Sequence, residues 1–177
     1  MPAYQRTLVV VKPDGVRRKL VSRIIGRYEE AGYEVIGLKM MKATPEIMIK
    51  HYKEDIDYFR SIGKKSQEAG IHVTDQVEFG REVVRNLREY MMSGQVVPMV
   101  LEGIDAVAGV RAVTGKTNPI DAAPGTIRHD FGDDDFVTAQ REGRTTRNIV
   151  HASGTLEEAM YEIPIWFKED EIYGLRN

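Results

Sequence analysis

Four short runs of valine, isoleucine and leucine, separated by helical patterns, are the feature that most constrains the fold of this chain. The runs lie near residues 7–11, 36–40, 96–101 and 149–152, and such segments are typical of buried strands. The order is strand, helix, strand, helices, strand, helix, strand, helix. It favours an α/β (α+β) sandwich with a ferredoxin-like split βαβ, in which helices cover a four-stranded antiparallel sheet.

Length and composition limit the class of protein. A chain of 177 residues with 42% hydrophobic residues is the size of one domain spanning residues 1–177. A net charge of -2 indicates no specific nucleic-acid partner. The absence of cysteine excludes a disulfide scaffold. The apolar run at residues 8–11 is too short to span a membrane, and we expect a cytoplasmic protein.

Two segments interrupt the pattern of the sandwich: the polar segment from Gly63 to Gly80, interpreted as inserted and partly helical, and the charged segment from Asp133 to Arg147, interpreted as a solvated insertion. Before the first, the sequence Thr44-Pro45-Glu46 is a helix start. Met48, Tyr52, Ile56 and Phe59 then fall on one face of a single predicted helix. The second insertion belongs to a long stretch with little periodicity, and such stretches are usually functional or disordered.

Two prolines modify the predicted elements. Pro98 lies within the third strand, where it indicates an edge position or a bulge because proline cannot donate to a ladder. Pro164 is expected to end the last helix just after Glu162.

A resemblance to a Walker A loop fails. Gly115-Lys116-Thr117 follows Gly109 with five intervening residues, whereas the motif requires four. Asn118-Pro119 also stands where the P-loop helix should begin. We therefore reject a P-loop NTPase. The four histidines show no tight spacing of metal ligands, so no protein-held metal is predicted.

Several side chains suit phosphate chemistry. His151 stands at the end of the fourth strand, and a neutral imidazole is a competent nucleophile for phosphate. Glu162, in the helix that follows, could hold one ring nitrogen. Lys12 ends the first strand, where it could pair with phosphate. Each also has a simpler interpretation: a structural histidine, a solvated helix carboxylate and a surface lysine before a turn.

Other candidates are individually weak. The two best-placed arginines are Arg111 and Arg128, and the turn before Arg128 could hold its guanidinium for bidentate phosphate contact. Tyr52 and Phe59 are ordinary core residues unless they lie at an edge, where an aromatic ring could stack on a base. Thr117 and Asn148 are small polar residues that turn chemistry alone could explain.

Taken together, the motifs resemble those of the nucleoside diphosphate kinases across nearly the whole chain and in the same order. They are Lys12-Pro13-Asp14-Gly15, Leu101-Glu102-Gly103, Thr117-Asn118-Pro119, Pro124-Gly125-Thr126-Ile127-Arg128, Asn148-x-x-His151-x-Ser153 and the helix from Glu162 to Trp166-Phe167.

The resemblance implies a ping-pong reaction. ATP or another nucleoside triphosphate would phosphorylate His151, which would then phosphorylate a nucleoside diphosphate. Lys12, Arg111 and Arg128 would bind the phosphates. The assisting residues would be Thr117 and Tyr52 for phosphate, Asn148 for the sugar, Phe59 (or its rival Phe79) for the base, and Ser153 and Glu162 for His151. Mg²⁺ would arrive bound to the nucleotide, and the protein would form a homo-oligomer, with a hexamer favoured.

The chain departs from the family pattern beside the nucleophile. His151-Ala152-Ser153-Gly154 replaces the familiar His-Gly-Ser-Asp. Against the family pattern, residues at about 55–85 and 132–146 are insertions, and the second of them precedes His151. One alternative function is a nucleotide-binding or regulatory protein on the same fold without phosphate transfer. Another is a histidine phosphatase, although its usual Arg-His-Gly signature is absent.

Overall fold

The computed structural model describes residues 3–68 and 70–174. Its strands are β1 (Tyr4–Val11), β2 (Glu34–Leu38), β3 (Met41–Lys42), β4 (Gln95–Ile104) and β5 (Val150–Ala152). Its helices are α1 (Pro13–Arg17), α2 (Val21–Glu30), α3 (Pro45–His51), α4 (Ile56–Glu68), α5 (Gln76–Met92), α6 (Ala106–Thr114), α7 (Ile127–Phe131), α8 (Phe136–Arg141) and α9 (Leu156–Trp166).

The strands form one antiparallel sheet in the order β2-β4-β1-β5, and β3 also pairs with β4. Because β4 lies between β1 and β2, the unit from β1 to β2 is a split βαβ. The predicted ferredoxin-like architecture is therefore confirmed. The described sheet has five strands rather than four, since the two-residue β3 adds to the predicted set.

Helices cover both faces of the sheet. Alternate residues of β1 enter two separate hydrophobic clusters: Val9 and Val11 join one, while Leu8 and Val10 join the other. All four are fully buried, which explains why the sequence shows a continuous apolar run instead of alternation. None of the described helices is long and apolar enough to cross a membrane.

The helix predicted to run from Thr44 past Phe59 is in fact two helices. Thr44 caps α3 through a bond from the Ile47 N–H, but α3 ends at His51. Tyr52 is extended there, and its carbonyl accepts from Arg88. Asp55 then accepts the Tyr58 N–H at 2.8 Å and starts α4. Three of the four apolar residues do pack in one cluster, but the cap at Asp55 starts a second helix, so they do not belong to one continuous helix.

The segment predicted as the first insertion, residues 55–85, lies within a pair of packed helices, α4 and α5. Two glycines allow their close approach. A Cβ atom on Gly63 would lie 2.2 Å from the Gln76 carbonyl oxygen, and one on Gly80 would lie 2.0 Å from the Phe59 oxygen. Any larger residue at either glycine would push the helices apart.

Both prolines occupy positions other than those expected. Pro98 lies in the central strand β4 opposite Val10, not at an edge. The Pro98 carbonyl accepts from the Lys39 N–H. The ring nitrogen of Pro98 points to that same side of β4, away from β1 and just beyond the end of β2. The missing N–H therefore costs no hydrogen bond between β4 and β1. Pro164 lies inside α9, which continues to Trp166. The Phe167 N–H still closes the last turn on the Ile163 carbonyl at 2.9 Å.

Candidate active site

His151 lies in β5 directly opposite Val10 of β1. Its Nε2 is 2.9 Å from Oε2 of Glu162, which α9 carries back over the sheet. The Ser153 hydroxyl donates to the same oxygen at 2.6 Å. Because the carboxylate can only accept from Nε2, this contact assigns the proton to Nε2 and leaves Nδ1 with a free lone pair. A nucleophile, its orienting carboxylate and a supporting hydroxyl therefore lie together.

The carboxylate of Glu162 is ionised at neutral pH. Burial raises its pKa, but the charge and hydrogen bond of His151, with the nearby His51 and the Ser153 hydroxyl, outweigh burial and hold the pKa at about 2. Glu162 is thus a permanent acceptor for the imidazole, and it can stabilise positive charge on the ring.

His51 is a member of the site that the sequence did not reveal. Its ring packs edge-on against that of His151, with the centroids 4.6 Å apart. The Trp166 Nε1–H donates to its Nδ1 at 3.3 Å, while its Nε2 is buried without a partner in the described structure. Burial, together with the charge that His151 carries when protonated, lowers the pKa of His51 to about 3 against the opposing effect of Glu162. His51 is therefore neutral and packs behind the nucleophile.

These contacts also group residues that can ligate metals. One nitrogen of each histidine and one oxygen of Glu162 lie within 4.8 Å of one another. The spacing of histidines along the chain gave no sign of this group, because the fold joins distant segments. The hydrogen bonds from Trp166 and to Glu162 occupy one nitrogen of each ring.

Lys12, Asn148 and Thr117 meet beside the histidine. Lys12 is buried at the end of β1, and its Nζ donates to Oδ1 of Asn148 at 2.7 Å. Nδ2 of Asn148 donates to the Thr117 carbonyl at 2.8 Å. Burial, together with the charge of Arg128, lowers the pKa of Lys12 to about 8 against the opposing effect of Asp14. Because burial disfavours the charged amine, a bound anion that pairs with it would offset that cost, and Lys12 is suited to bind one.

Arg128 connects three parts of the site. Its guanidinium donates to the carbonyls of Asn148 at 3.2 Å, Gly115 at 3.1 Å and Val150 at 2.7 Å. Burial lowers its pKa to about 10, and the charge of Arg111 acts in the same direction. Two of its five N–H groups remain for other acceptors. Lys12 and Arg128 therefore concentrate positive charge beside β5, and the exposed Arg111 is close enough to Arg128 to add to it.

The backbone just before His151 is strained. Ile149 has φ +71°, which is unusual for a β-branched residue. The Val150 N–H donates back to the Asn148 carbonyl at 2.8 Å, closing a tight γ-turn. Asp14 holds this turn, because its Oδ2 accepts the Ile149 N–H at 3.1 Å while its Oδ1 accepts from the Tyr90 hydroxyl. We predicted Asp14 only as a turn residue.

The predicted aromatic residues occupy the core. Tyr52 is 6% exposed and packs against His51. Phe59 is 3% exposed, with the Arg81 guanidinium 5.1 Å from its ring centroid. The expected role of Phe59 in stacking on a base conflicts with this burial, since neither ring face is open. Its rival Phe79 is half-buried on α5.

The departures from the family motif leave the His151 contacts intact. Ala152 pairs with Val9 in the sheet. The N–H of Gly154 donates to Glu158 at the start of α9. Ser153 remains bonded to Glu162 between them.

Comparison with known proteins places this chain and its fold in a defined class. The sequence model of the family described as "Nucleoside diphosphate kinase" matches residues 5–172. A curated nucleoside diphosphate kinase from Pyrobaculum aerophilum is 44% identical, and the alignment covers 95% of this chain and 97% of that protein.

Two solved structures are also similar. An NDP kinase from Pyrobaculum aerophilum aligns with a TM-score of 0.91 and 43% identity, covering 97% of this chain and 100% of that one. The nucleoside-diphosphate kinase from Borrelia burgdorferi aligns with a TM-score of 0.82 and 34% identity, covering 98% and 93%. Its structure is a transition-state mimic with bound vanadate and ADP.

The chain is thus a phosphotransferase that acts on nucleotides. It belongs to the nucleoside diphosphate kinase family.

Proposed function

We propose that this protein moves the γ-phosphate of a nucleoside triphosphate to a nucleoside diphosphate through a phosphohistidine on His151. The observation that carries the proposal is the asymmetry of the His151 ring. Glu162 engages Nε2 at 2.9 Å, which leaves Nδ1 to attack. The complex of a relative with vanadate and ADP supports phosphate chemistry in this fold.

In the proposed first half-reaction, the imidazole ring neither gains nor loses a proton. The Nδ1 lone pair forms a bond to the γ-phosphorus while the bond to the bridging oxygen breaks, and the nucleoside diphosphate leaves. Positive charge then develops on the imidazole, where Glu162 stabilises it through the Nε2–H. The second half-reaction is the reverse, with a different nucleoside diphosphate as the acceptor. Ser153 keeps Glu162 in place throughout.

The cations account for substrate binding. Lys12, Arg128 and Arg111 would contact phosphate oxygens and neutralise the charge that spreads over them in the transition state. Asn148 would bind the sugar, and Thr117 and Tyr52 would assist at the phosphates. Mg²⁺ would enter on the nucleotide and neutralise phosphate charge. The cationic character of Lys12 and Arg128 fits a metal held by the phosphates better than one held by the protein.

A labelling experiment tests the mechanism. Mixed with Mg²⁺ and ATP labelled at the γ-phosphate, the protein should acquire a phosphate that is labile in acid and stable in alkali. Added GDP should remove the label and become labelled GTP. Release of inorganic phosphate without GDP would indicate a phosphatase instead, and binding of ATP without any labelling would indicate a regulatory protein.

Nucleotide affinity should fall as the pH rises through about 8. The free enzyme holds Lys12 with a pKa of about 8, and a bound phosphate favours the protonated amine. Binding is therefore strongest below that pKa and weakens once the amine loses its proton. Calorimetric titration of Mg·ADP between pH 6.5 and 9.5 measures this slope.

A lysine variant checks that assignment. Lys12→Met should bind Mg·ADP weakly at every pH and lose the fall near pH 8. Lys64→Met, at an exposed lysine of α4, should keep the wild-type profile. An unchanged slope in Lys12→Met would show that another group titrates.

A further inference from the structure

The second insertion is tied to both chain segments that carry the proposed sugar and phosphate contacts. At the start of α8, the Phe136 N–H donates to Oδ1 of Asn118, at 3.2 Å. Asn118 directly follows Thr117 and also donates to Asp121. The insertion therefore holds the loop that carries Thr117.

The other attachment of the insertion is the carboxylate of Asp134. Its side chain is 7% exposed. The Arg144 guanidinium donates to both carboxylate oxygens, at 2.6 and 3.0 Å. The backbone N–H of Arg147 donates to Oδ2 at 2.7 Å. Burial raises the pKa of Asp134, but the bonds from Arg144 and Arg147 outweigh burial and lower it, so the group is a charged acceptor.

The bond from Arg147 lies one residue before Asn148, which contacts both Lys12 and the Thr117 carbonyl. A peptide fixed at Arg147 limits how the next residue can turn. We propose that Asp134 is a positioning residue, through which the insertion holds Asn148 and Thr117 in the arrangement that binds the nucleotide. This inference rests on the proposed function, because it assigns the nucleotide to that arrangement.

Asp134 acts through position and touches no reacting atom. We therefore expect its loss to raise the KM for nucleotides more than it lowers kcat, since Nδ1 of His151 and the bond from Nε2 to Glu162 stay in place. The neighbouring Asp133 gives a matched control. Its side chain is 64% exposed and pairs with Arg18 at 3.2 Å, a contact separate from those that Asp134 makes with Arg144 and Arg147.

The experiment compares Asp134→Ala, Asp134→Asn and Asp133→Ala by calorimetric titration with Mg·ADP. Asp134→Ala should weaken binding about tenfold, equivalent to about 1.4 kcal/mol. Asp134→Asn keeps one neutral oxygen for the Arg147 N–H and should lie in between, while Asp133→Ala should stay within about twofold of the wild type. Arg147 is exposed, so water can replace the lost acceptor and the variant should fold.

Unchanged ADP affinity in Asp134→Ala, or an equal loss in Asp133→Ala, would overturn the proposal. So would a fall in kcat at saturating nucleotide with no change in KM. If Asp134→Ala does not fold, Asp134→Asn decides by the same two criteria. ADP binding needs no phosphate transfer, so failure to label His151 would count against the proposed reaction while the affinities still decide the role of Asp134.

Discussion

Replacing His151 with alanine is expected to eliminate the phosphoenzyme and to slow phosphate transfer by at least about a thousandfold. The variant keeps the cations that we propose to bind nucleotide but has no atom to accept the phosphate. Direct transfer from one nucleotide to another would require both to bind at the same time, whereas the site is arranged around a single nucleophile. Rapid-quench measurement of label on the protein, with coupled assay of GTP formation, reads both steps.

A second histidine gives the matched control. The side chain of His129 is 44% exposed and pairs with Asp130, outside the group around Glu162. His129→Ala should label and transfer at the wild-type rate. If His151→Ala still acquired an acid-labile phosphate, the nucleophile would have to be another residue.

Replacing Glu162 with glutamine should slow phosphohistidine formation about a hundredfold at neutral pH, with only a small change in ADP affinity. A neutral amide cannot stabilise the charge that develops on the imidazole. Its NH₂ group can also donate to Nε2, which would move the ring proton to Nδ1 and block the attacking atom. Single-turnover labelling under saturating ATP isolates this step from binding.

Glu157 lies exposed on the same helix, and Glu157→Gln tests for a nonspecific effect of removing a charge from α9. It should leave the labelling rate unchanged. Labelling of Glu162→Gln at the wild-type rate would mean that the contact with His151 only packs the helix. The labelling rate of Ser153→Ala should lie between those of Glu157→Gln and Glu162→Gln, because the substitution removes one of the bonds that hold Glu162.

The parts of the site that the sequence could predict are those placed by strand ends. Lys12 follows β1, and His151 lies in β5, where antiparallel pairing sets it opposite Val10. A period of two and the order of elements are enough to bring such residues together. The same reasoning explains why the fold was correct while the exact number of strands was not, since a strand as short as β3 has no pattern to detect.

What the sequence could not predict depends on contacts between distant segments. His51 and Asp14 look like ordinary helix and turn residues, and only the packed structure sets them against His151 and the Ile149 backbone. The family resemblance assigned Phe59 to the base, while its position on an apolar helix face favoured the core, and its burial follows from how α4 and α5 pack. Pro98 and Pro164 were misjudged because the ladder and the helix each lose little where these prolines lie.

The contact between Arg128 and β5 has a consequence for association between chains. β5 ends the sheet, and Val150 directs its backbone groups outward, where another polypeptide could add a strand. Its carbonyl instead accepts from Arg128, and its N–H donates to the Asn148 carbonyl. The arginine that we propose to bind phosphate therefore also occupies the outward-facing carbonyl of Val150, which strand addition at this edge would need as an acceptor.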